Sequence, residues 1–245
     1  FSYFFEQESG RINALMTEMR SSLVTLHEGL KGSLDLSESM VQTHKCLKTN
    51  TVPSTWAALA YPSLLPLSGW FIDLLQRIDQ VEKWRETEML PPSVWLPGFL
   101  NPKLFMLACR QCLAREGRGQ SLTGVDVDFT VTNLAWDAVQ QQPPGGMGWY
   151  VHGFYIEDAV WDPEETALAH KQWNSPLDAA KLPVVLVHSD AATNFHRAGI
   201  SKDMYPCPVY VTHARGDSYL FSIDLESLID ATVWVCAGTA LVLSP

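Results

Sequence analysis

Residues 125–131 read VDVDFTV, and at this stretch the hydrophobic pattern of the chain changes. Valine and phenylalanine alternate there with aspartate and threonine, which is the period of a β-strand with one face in water. Before it, apolar residues recur every three or four positions, as in helices, and Gly117 and Gly119 mark the change. The sequence therefore predicts an α+β fold in which helices come first and strands second.

Upstream of this stretch the periodicity predicts helices over 6–30, 35–48, a short segment from Pro53, 68–86 and 102–115. The inward stripe predicted for the first helix comprises Ile12, Leu15, Met16, Met19, Leu23, Leu26 and Leu30. The second is predicted to turn Leu36, Met40 and Leu47 inward, and the fourth Phe71, Leu74, Leu75, Ile78 and Val81. These helices define a predicted helical domain over 1–122.

Downstream, the alternating pattern predicts about six strands, over 125–131, 149–157, 183–188, 207–213, 218–225 and 232–243. The stretch 162–181 interrupts this pattern, and a short helix is predicted within it over 163–170. Short strands with outward acidic residues predict a small antiparallel β-barrel or sandwich over 123–245.

Charge is distributed unevenly along the 245 residues, which carry a net charge of -10. Residues 1–122 hold 12 basic and 12 acidic side chains, whereas 123–245 hold 5 and 15. Nucleic acid and anionic membranes bind lysine and arginine, so we expect neither as a partner. The chain has no run of apolar residues long enough to span a membrane and begins at Phe1, so we expect it to be cut from a longer protein.

Catalytic motifs are missing from the sequence. It has no G-x-x-x-x-G-K-[ST] loop for phosphates, no G-x-G-x-x-G after a strand and no G-x-S-x-G nucleophile turn. His27 and Glu28 are followed by lysine at position 31, where a zinc helix needs a second histidine. We therefore predict no catalytic, cofactor-binding or metal-binding residues and no enzyme activity in this chain.

Three further patterns have ordinary structural interpretations. Cys109 and Cys112 form a C-x-x-C pair late in a helix, where two cysteines share a core face, and the other cysteines stand alone. His152, His188 and His213 fall on predicted strands and are more typical of hydrogen-bonded residues than of a metal triad. The tripeptide 215–217 spells the adhesion signal Arg-Gly-Asp but lies where a hairpin turn is expected.

Two alternatives remain open at this level. The nine tryptophans would suit a free-standing protein-binding module if several were exposed, because tryptophan is enriched at interfaces. A thiol or metal enzyme would use the cysteine pair or the strand histidines.

Several segments nonetheless resemble one known family, the C-terminal domain of dynein heavy chains. The stretch from Tyr61 to Trp70 resembles the family's Y-P-S-L-x-P-L run, 95–105 resembles W-L-x-G-F-F-x-P-x-x-F, and 150–162 resembles the axonemal Y-V-H-G-L-F-L-E-G-A-x-W-D. The positions that carry the match are Tyr61, Pro62, Trp70, Trp95, Gly98, Phe99, Pro102, Phe105, Tyr150, His152, Gly153, Trp161, Asp162, Cys207, Pro208, Tyr210, Trp234 and Gly238. The span 162–204 follows the family only loosely, and 216–219 departs from it.

The resemblance implies a fold, a location and a role. The family's fold is a helical segment followed by a small β-barrel, which selects the barrel over the sandwich. The family's domain is non-catalytic and packs on a face of the AAA-type ring of the same heavy chain, whose modules bind ATP and Mg²⁺. It modulates motility along microtubules, and this chain would meet the microtubule only through the parent motor. It implies residence in the cytoplasm and cytoskeleton, in a ciliary or flagellar axoneme. We further hypothesise that the helical half forms the main contact with the ring.

Overall fold

The computed structural model describes residues 1–116, 127–144, 148–171, 180–189 and 203–244. The chain divides into two compact units. The helical unit comprises Ser2–Glu86 and Gly98–Asn101, and the C-terminal unit comprises Phe1, Thr87–Pro97 and Pro102–Pro245. Within the described ranges, none of the helices combines the length and hydrophobicity that crossing a membrane requires.

The helical unit contains four helices, α1 (Ser2–Leu30), α2 (Glu38–Lys48), α3 (Ser54–Ala57) and α4 (Leu67–Thr87). Each was predicted to within a few residues. Ser37 caps α2, because its hydroxyl accepts a hydrogen bond from the Met40 amide. The core of the unit consists of Ile12, Leu15, Met19, Trp56, Tyr61, Trp70, Leu74, Val81 and Leu100.

The C-terminal unit contains α5 (Pro102–Glu116), α6 (Ala231–Ala237) and two sheets. The four-stranded sheet has the order β1 (Ser93–Trp95), β3 (Trp149–His152), β8 (Val185–Ser189), β2 (Val127–Val131). The seven-stranded sheet has the order β5 (Val160–Asp162), β6 (Ala167–Ala169), β10 (Tyr219–Ser227), β9 (Asp203–Thr212), β11 (Ala240–Ser244), β4 (Tyr155–Glu157), β7 (Ala180–Lys181).

These sheets confirm the α+β class but correct the predicted six-stranded antiparallel barrel. Eleven strands occur in the described residues, and neither sheet closes on itself there. Three strand pairs are parallel: β1 with β3, β6 with β10, and β9 with β11. Sequence periodicity reports one strand at a time, whereas closure and direction depend on which strands pair. The domain ranges 1–122 and 123–245 stay a prediction.

Three predicted elements are also corrected. The strand predicted over 149–157 is two strands, interrupted at Gly153. The helix predicted over 163–170 is absent; Asp162 accepts hydrogen bonds from the amides of Glu164 and Glu165, and this turn leads into β6. The strand predicted over 232–243 begins as helix α6, because Asp230 caps its first turn and Gly238, at φ 73°, ends it.

Candidate functional site

The helical unit buries the guanidinium group of Arg77 on the inner face of α4, where the residue is 4% exposed. Nε donates to Oδ2 of Asp73 at 2.7 Å, and one terminal nitrogen donates to the carbonyl oxygen of Phe99 at 3.1 Å. The guanidinium carbon lies 3.4 Å from the centroid of the Tyr61 ring. The Tyr61 hydroxyl in turn donates to the carbonyl oxygen of Trp70. The positive charge of Arg77 is therefore surrounded by the Asp73 carboxylate, the Phe99 carbonyl and the Tyr61 ring.

The carboxylate of Glu8 is buried on α1 and accepts a hydrogen bond from the backbone amide of Leu100. Burial raises the pKa of this carboxyl above its ordinary value of 4.5 and outweighs the factors that lower it. Those factors are the amides of Leu100 and Asn101 and the charges of Arg11 and Arg77. Glu8 and Arg77 thus hold the backbone of the same short segment from two different helices.

The raised pKa of Glu8 predicts a pH dependence of stability. The folded state binds the proton more tightly than the unfolded state, so the stabilisation is complete below about pH 4.5 and declines as the pH rises through the raised pKa. We expect Glu8→Gln to flatten this decline in the free energy of unfolding, measured by urea titration between pH 4 and pH 8. Glu6→Gln, on the exposed side of α1, is the control, and an equal slope in the wild type and Glu8→Gln would contradict the prediction.

The outer surface of α4 carries a second apolar face. Phe71, Ile72 and Leu75 are 42%, 59% and 50% exposed, and we call these three residues the α4 patch. Their spacing places them on one side of the helix, away from the stripe formed by Trp70, Leu74 and Val81. Exposed apolar surface of this kind marks interaction sites in soluble proteins.

Exposed leucines precede the α4 patch in the sequence, and charged residues follow it along the helix. Leu59, Leu64 and Leu65, in the chain just before α4, are also exposed. Beyond the patch, the outer surface of α4 becomes charged, with Lys83 and Asp79 paired at 2.7 Å. The apolar character is therefore concentrated at the beginning of the helix.

A further set of exposed aliphatic side chains lies on α1 and around the turn into α2. Met16, Leu23 and Leu30 recur every seven residues on α1 and are 40%, 39% and 56% exposed. Leu34, Leu36 and Val41 continue this exposure. Five residues predicted to face the core (Met16, Leu23, Leu30, Phe71 and Leu75), together with Leu36, are thus at the surface. The prediction that these side chains face the core was wrong, because the unit buries only one apolar stripe on each long helix.

The cysteine pair that suggested a thiol or metal enzyme lies in the protein interior or partly within it. Cys109 is fully buried, and burial raises the pKa of its thiol well above the ordinary value. Cys112 is half-buried, and all five cysteines are free thiols. This agrees with the core interpretation of the pair.

The strand histidines have separate partners. Nδ1 of His152 lies 2.8 Å from the Ser93 hydroxyl, and Nε2 of His188 lies 2.9 Å from that of Thr130, whereas His213 is exposed. Burial lowers the pKa of His152 to about 4. Within the described ranges, no three His, Cys, Asp or Glu side chains come together to hold a metal ion.

The Arg-Gly-Asp tripeptide lies in the turn between β9 and β10, as predicted. The guanidinium of Arg215 donates to Glu157 at 2.7 Å and lies 3.9 Å from Asp158. Its contact with Glu157 raises the pKa of Arg215. The arginine thus anchors the turn onto the end of β4.

Comparison with known proteins identifies the family. Residues 1–243 match the family model that describes the C-terminal domain of the dynein heavy chain. The chain belongs to this dynein family. It is 35% identical over 237 residues to dynein axonemal heavy chain 17 of Mus musculus and to the ciliary dynein beta chain of Tripneustes gratilla. It is 37% identical over 237 residues to the flagellar outer arm dynein beta chain of Chlamydomonas reinhardtii.

Each of these matches covers 97% of this chain but only 5% of the relative. The chain therefore corresponds to a small part of each dynein heavy chain. The axonemal, ciliary and flagellar relatives indicate the cytoskeleton of the axoneme as its location.

The positions that carry the dynein resemblance are mostly in the interior. Buried positions are Tyr61, Trp70, Gly98, Phe99, Pro102, Phe105, Cys207 and Trp234. Half-buried positions are Trp95, Tyr150, His152, Gly153, Trp161, Asp162, Pro208, Tyr210 and Gly238, and Pro62 is exposed. The structure places them in both units and does not gather them at one site, which suits residues that maintain cores and turns.

Sequence reasoning missed Glu8 and Arg77. Both lie on the apolar stripe of a helix, Glu8 four residues before Ile12 and Arg77 between Leu74 and Val81. A charged residue at a core position of a periodic stripe is the signal that could have identified them.

Proposed function

We propose that this chain is a non-catalytic regulatory domain of an axonemal dynein heavy chain. It packs on a face of the AAA-type ring of the same chain and modulates ATP-driven motility along microtubules. The family match over residues 1–243 supports the assignment, and the exposed apolar face of α4 is the observation that supports docking. ATP and Mg²⁺ would bind in the ring; this sequence contains no G-x-x-x-x-G-K-[ST] motif, which supports that placement.

The regulatory role needs only a difference in contact between two states of the ring. A domain that binds one state more tightly by about 1.4 kcal/mol shifts the equilibrium tenfold. Burial of apolar side chains stabilises a contact by about 25 cal/mol per Å². If the α4 patch is buried in one ring state and partly exposed in the other, the difference in buried apolar area is enough to shift the equilibrium between the two states.

The alternative of a tryptophan-rich binding module loses its main support. Among the tryptophans in the described residues, Trp136 alone is exposed, at 59%. Trp56, Trp70, Trp84 and Trp234 are buried, and Trp173 lies outside the described residues. Within the described residues, tryptophan therefore mainly fills the cores.

Charged substitutions in the α4 patch test the docking proposal. In the intact heavy chain, we expect the double variant Ile72→Glu and Leu75→Glu to raise hydrogen exchange in α4 and to change microtubule gliding velocity, while ATP hydrolysis continues. A glutamate at a desolvated interface carries an uncompensated charge, which weakens docking. The matched control is Val235→Glu, at a position on α6 that is 66% exposed.

Two outcomes would contradict the proposal. One is that α4 exchanges equally fast in the isolated 245-residue chain and in the intact heavy chain. The other is that the double variant moves neither exchange nor gliding velocity. A third arm removes residues 123–245 and measures the same quantities, which separates a contribution of the C-terminal part from that of the helical unit.

A further inference from the structure

The tetrapeptide Gly98–Asn101 belongs to the helical unit, although the chain on both sides of it belongs to the C-terminal unit. Its first residue, Gly98, ends the 3-10 turn Leu96–Gly98 that follows β1, and downstream the tetrapeptide continues directly into α5. The chain thus enters the helical unit for four residues and leaves it again. All four residues are buried or half-buried.

Side chains from the first and the last helix of the helical unit, α1 and α4, form hydrogen bonds with this tetrapeptide. Glu8 on α1 accepts a hydrogen bond from the amide of Leu100, which lies 92 residues away in sequence. Arg77 on α4 donates to the carbonyl oxygen of Phe99 at 3.1 Å. One side chain therefore fixes a backbone donor and the other a backbone acceptor in successive residues.

Aromatic packing adds a third hold. The Phe99 ring meets the Phe4 ring edge to face, with centroids 4.9 Å apart, and lies 6.2 Å from the Trp84 ring. Leu100 is part of the core cluster of the unit. The tetrapeptide is thus bound through both its backbone and its side chains.

Burial of two ionisable groups needs a reason beyond stability. Apolar side chains of similar volume would stabilise the interior as well or better, because a buried charge loses its hydration. Hydrogen bonds to backbone atoms instead fix one position and one register of the segment they hold. The two groups are therefore best explained by a need to hold this segment of chain in place.

We propose that Gly98–Asn101 is a latch that makes the two units unfold and refold together. Its flanks are covalently continuous with β1 and α5, so release of the tetrapeptide from Glu8 and Arg77 frees the ends of those elements. Conversely, disruption of the helical unit removes the hold on the chain of the C-terminal unit. The inference rests on the proposed function for its biological meaning, since a change at the docking surface would reach the C-terminal unit by this route.

The test is pulsed hydrogen exchange with mass spectrometry on the intact heavy chain along a urea titration. Peptides from 2–30 report on the helical unit, and peptides from 203–227 report on the C-terminal unit. We expect both sets to unfold at one urea concentration in the wild type. Glu8→Ala is expected to separate the two transitions and to speed exchange at Leu100 by about tenfold or more, the effect of losing a hydrogen bond to a charged group.

Two variants sharpen the result. Glu8→Gln retains an oxygen that accepts from the Leu100 amide and is expected to keep the transitions together. Glu6→Ala, at an exposed position on the same helix, is the matched control and is expected to behave as the wild type. Two transitions in the wild type, or equal shifts of both transitions in Glu8→Ala, would overturn the proposal.

A measurement on the wild type alone covers the case in which Glu8→Ala fails to fold. The latch requires the amides of Leu100 and Asn101 to exchange as slowly as the core of α1, without urea. Much faster exchange at these amides would overturn the latch. The proposed function is tested by a different measurement. It fails if α4 exchanges equally fast in the isolated chain and in the intact heavy chain.

Discussion

Replacement of Gly153 by alanine is expected to destabilise the C-terminal unit by about 3 kcal/mol or more. Gly153 connects β3 to β4 and has a φ of +101°, a backbone conformation that residues with a side chain rarely adopt. A Cβ atom there would lie 2.5 Å from Cδ of Pro97 and 2.8 Å from Cδ1 of Trp95. Alanine at this position would therefore be destabilised both by backbone strain and by steric overlap with Pro97 and Trp95.

The overlap of an alanine Cβ with Pro97 and Trp95 follows from the pairing of β1 with β3 in the four-stranded sheet. β1 runs parallel to β3, and Trp95 is opposite His152 in the register, so the chain after β1 passes directly beside the residue after β3. Pro97 is buried, and its ring has little freedom to move aside. Relief would need a shift of the paired backbones, which would disturb the edge of the four-stranded sheet.

A matched control isolates the overlap. Gly216 also has a positive φ, +60°, but a Cβ there would meet nothing within 4 Å. Gly216→Ala is expected to lower the free energy of unfolding by about 1 kcal/mol, from the backbone alone. The measurement is urea unfolding of the 245-residue chain followed by circular dichroism. Equal losses in the two variants would show that the contacts of Gly153 with Pro97 and Trp95 are not limiting.

Trp70→Ala is expected to destabilise the helical unit by about 3–5 kcal/mol. Trp70 is 1% exposed at the centre of the helical core. Its ring stacks against Trp56 and Tyr61, with centroids 6.3 Å and 6.2 Å away. Removal of the indole leaves a large cavity and takes packing away from the Tyr61 ring, on which the Arg77 guanidinium rests.

The same substitution at an exposed position provides the comparison. Trp136 is 59% exposed and stacks on His152, so Trp136→Ala is expected to lower the free energy of unfolding by less than about 1 kcal/mol. Urea titration, with circular dichroism as the signal, measures both variants. A small loss in Trp70→Ala, comparable with that of Trp136→Ala, would mean that the core around Trp70 collapses to fill the space.

The local pattern of this sequence is sufficient for most of its elements. The spacing of Ile12, Leu15 and Met19 predicts α1, and the alternation in 125–131 predicts a strand of which Val127–Val131 is described. Helices and strands depend first on the contacts of residues three or four apart, or two apart, and a single sequence contains that information. The family motifs add the fold and the location.

Capping residues explain where the pattern misled. The segment Ala231–Ala237 has the β-branched composition of a strand, yet Asp230 and Gly238 provide the beginning and end of a helix. The turn at Asp162 likewise overrides the helical pattern of 163–170. One hydrogen bond at an end can outweigh weak propensities along a short segment.

The amino-acid pattern alone is enough to predict that helices come first and strands follow, and to recognise the resemblance to the dynein domain. Only the folded structure shows that the sheets are mixed and do not close within the described residues, that Phe71 and Leu75 face outward, and that Glu8 and Arg77 hold Gly98–Asn101. These features cannot be predicted from local pattern because they join segments that are far apart in the sequence. Strand pairing, the choice of which apolar stripe is buried, and a hydrogen bond between residues 92 apart all depend on segments that meet only after the chain has folded.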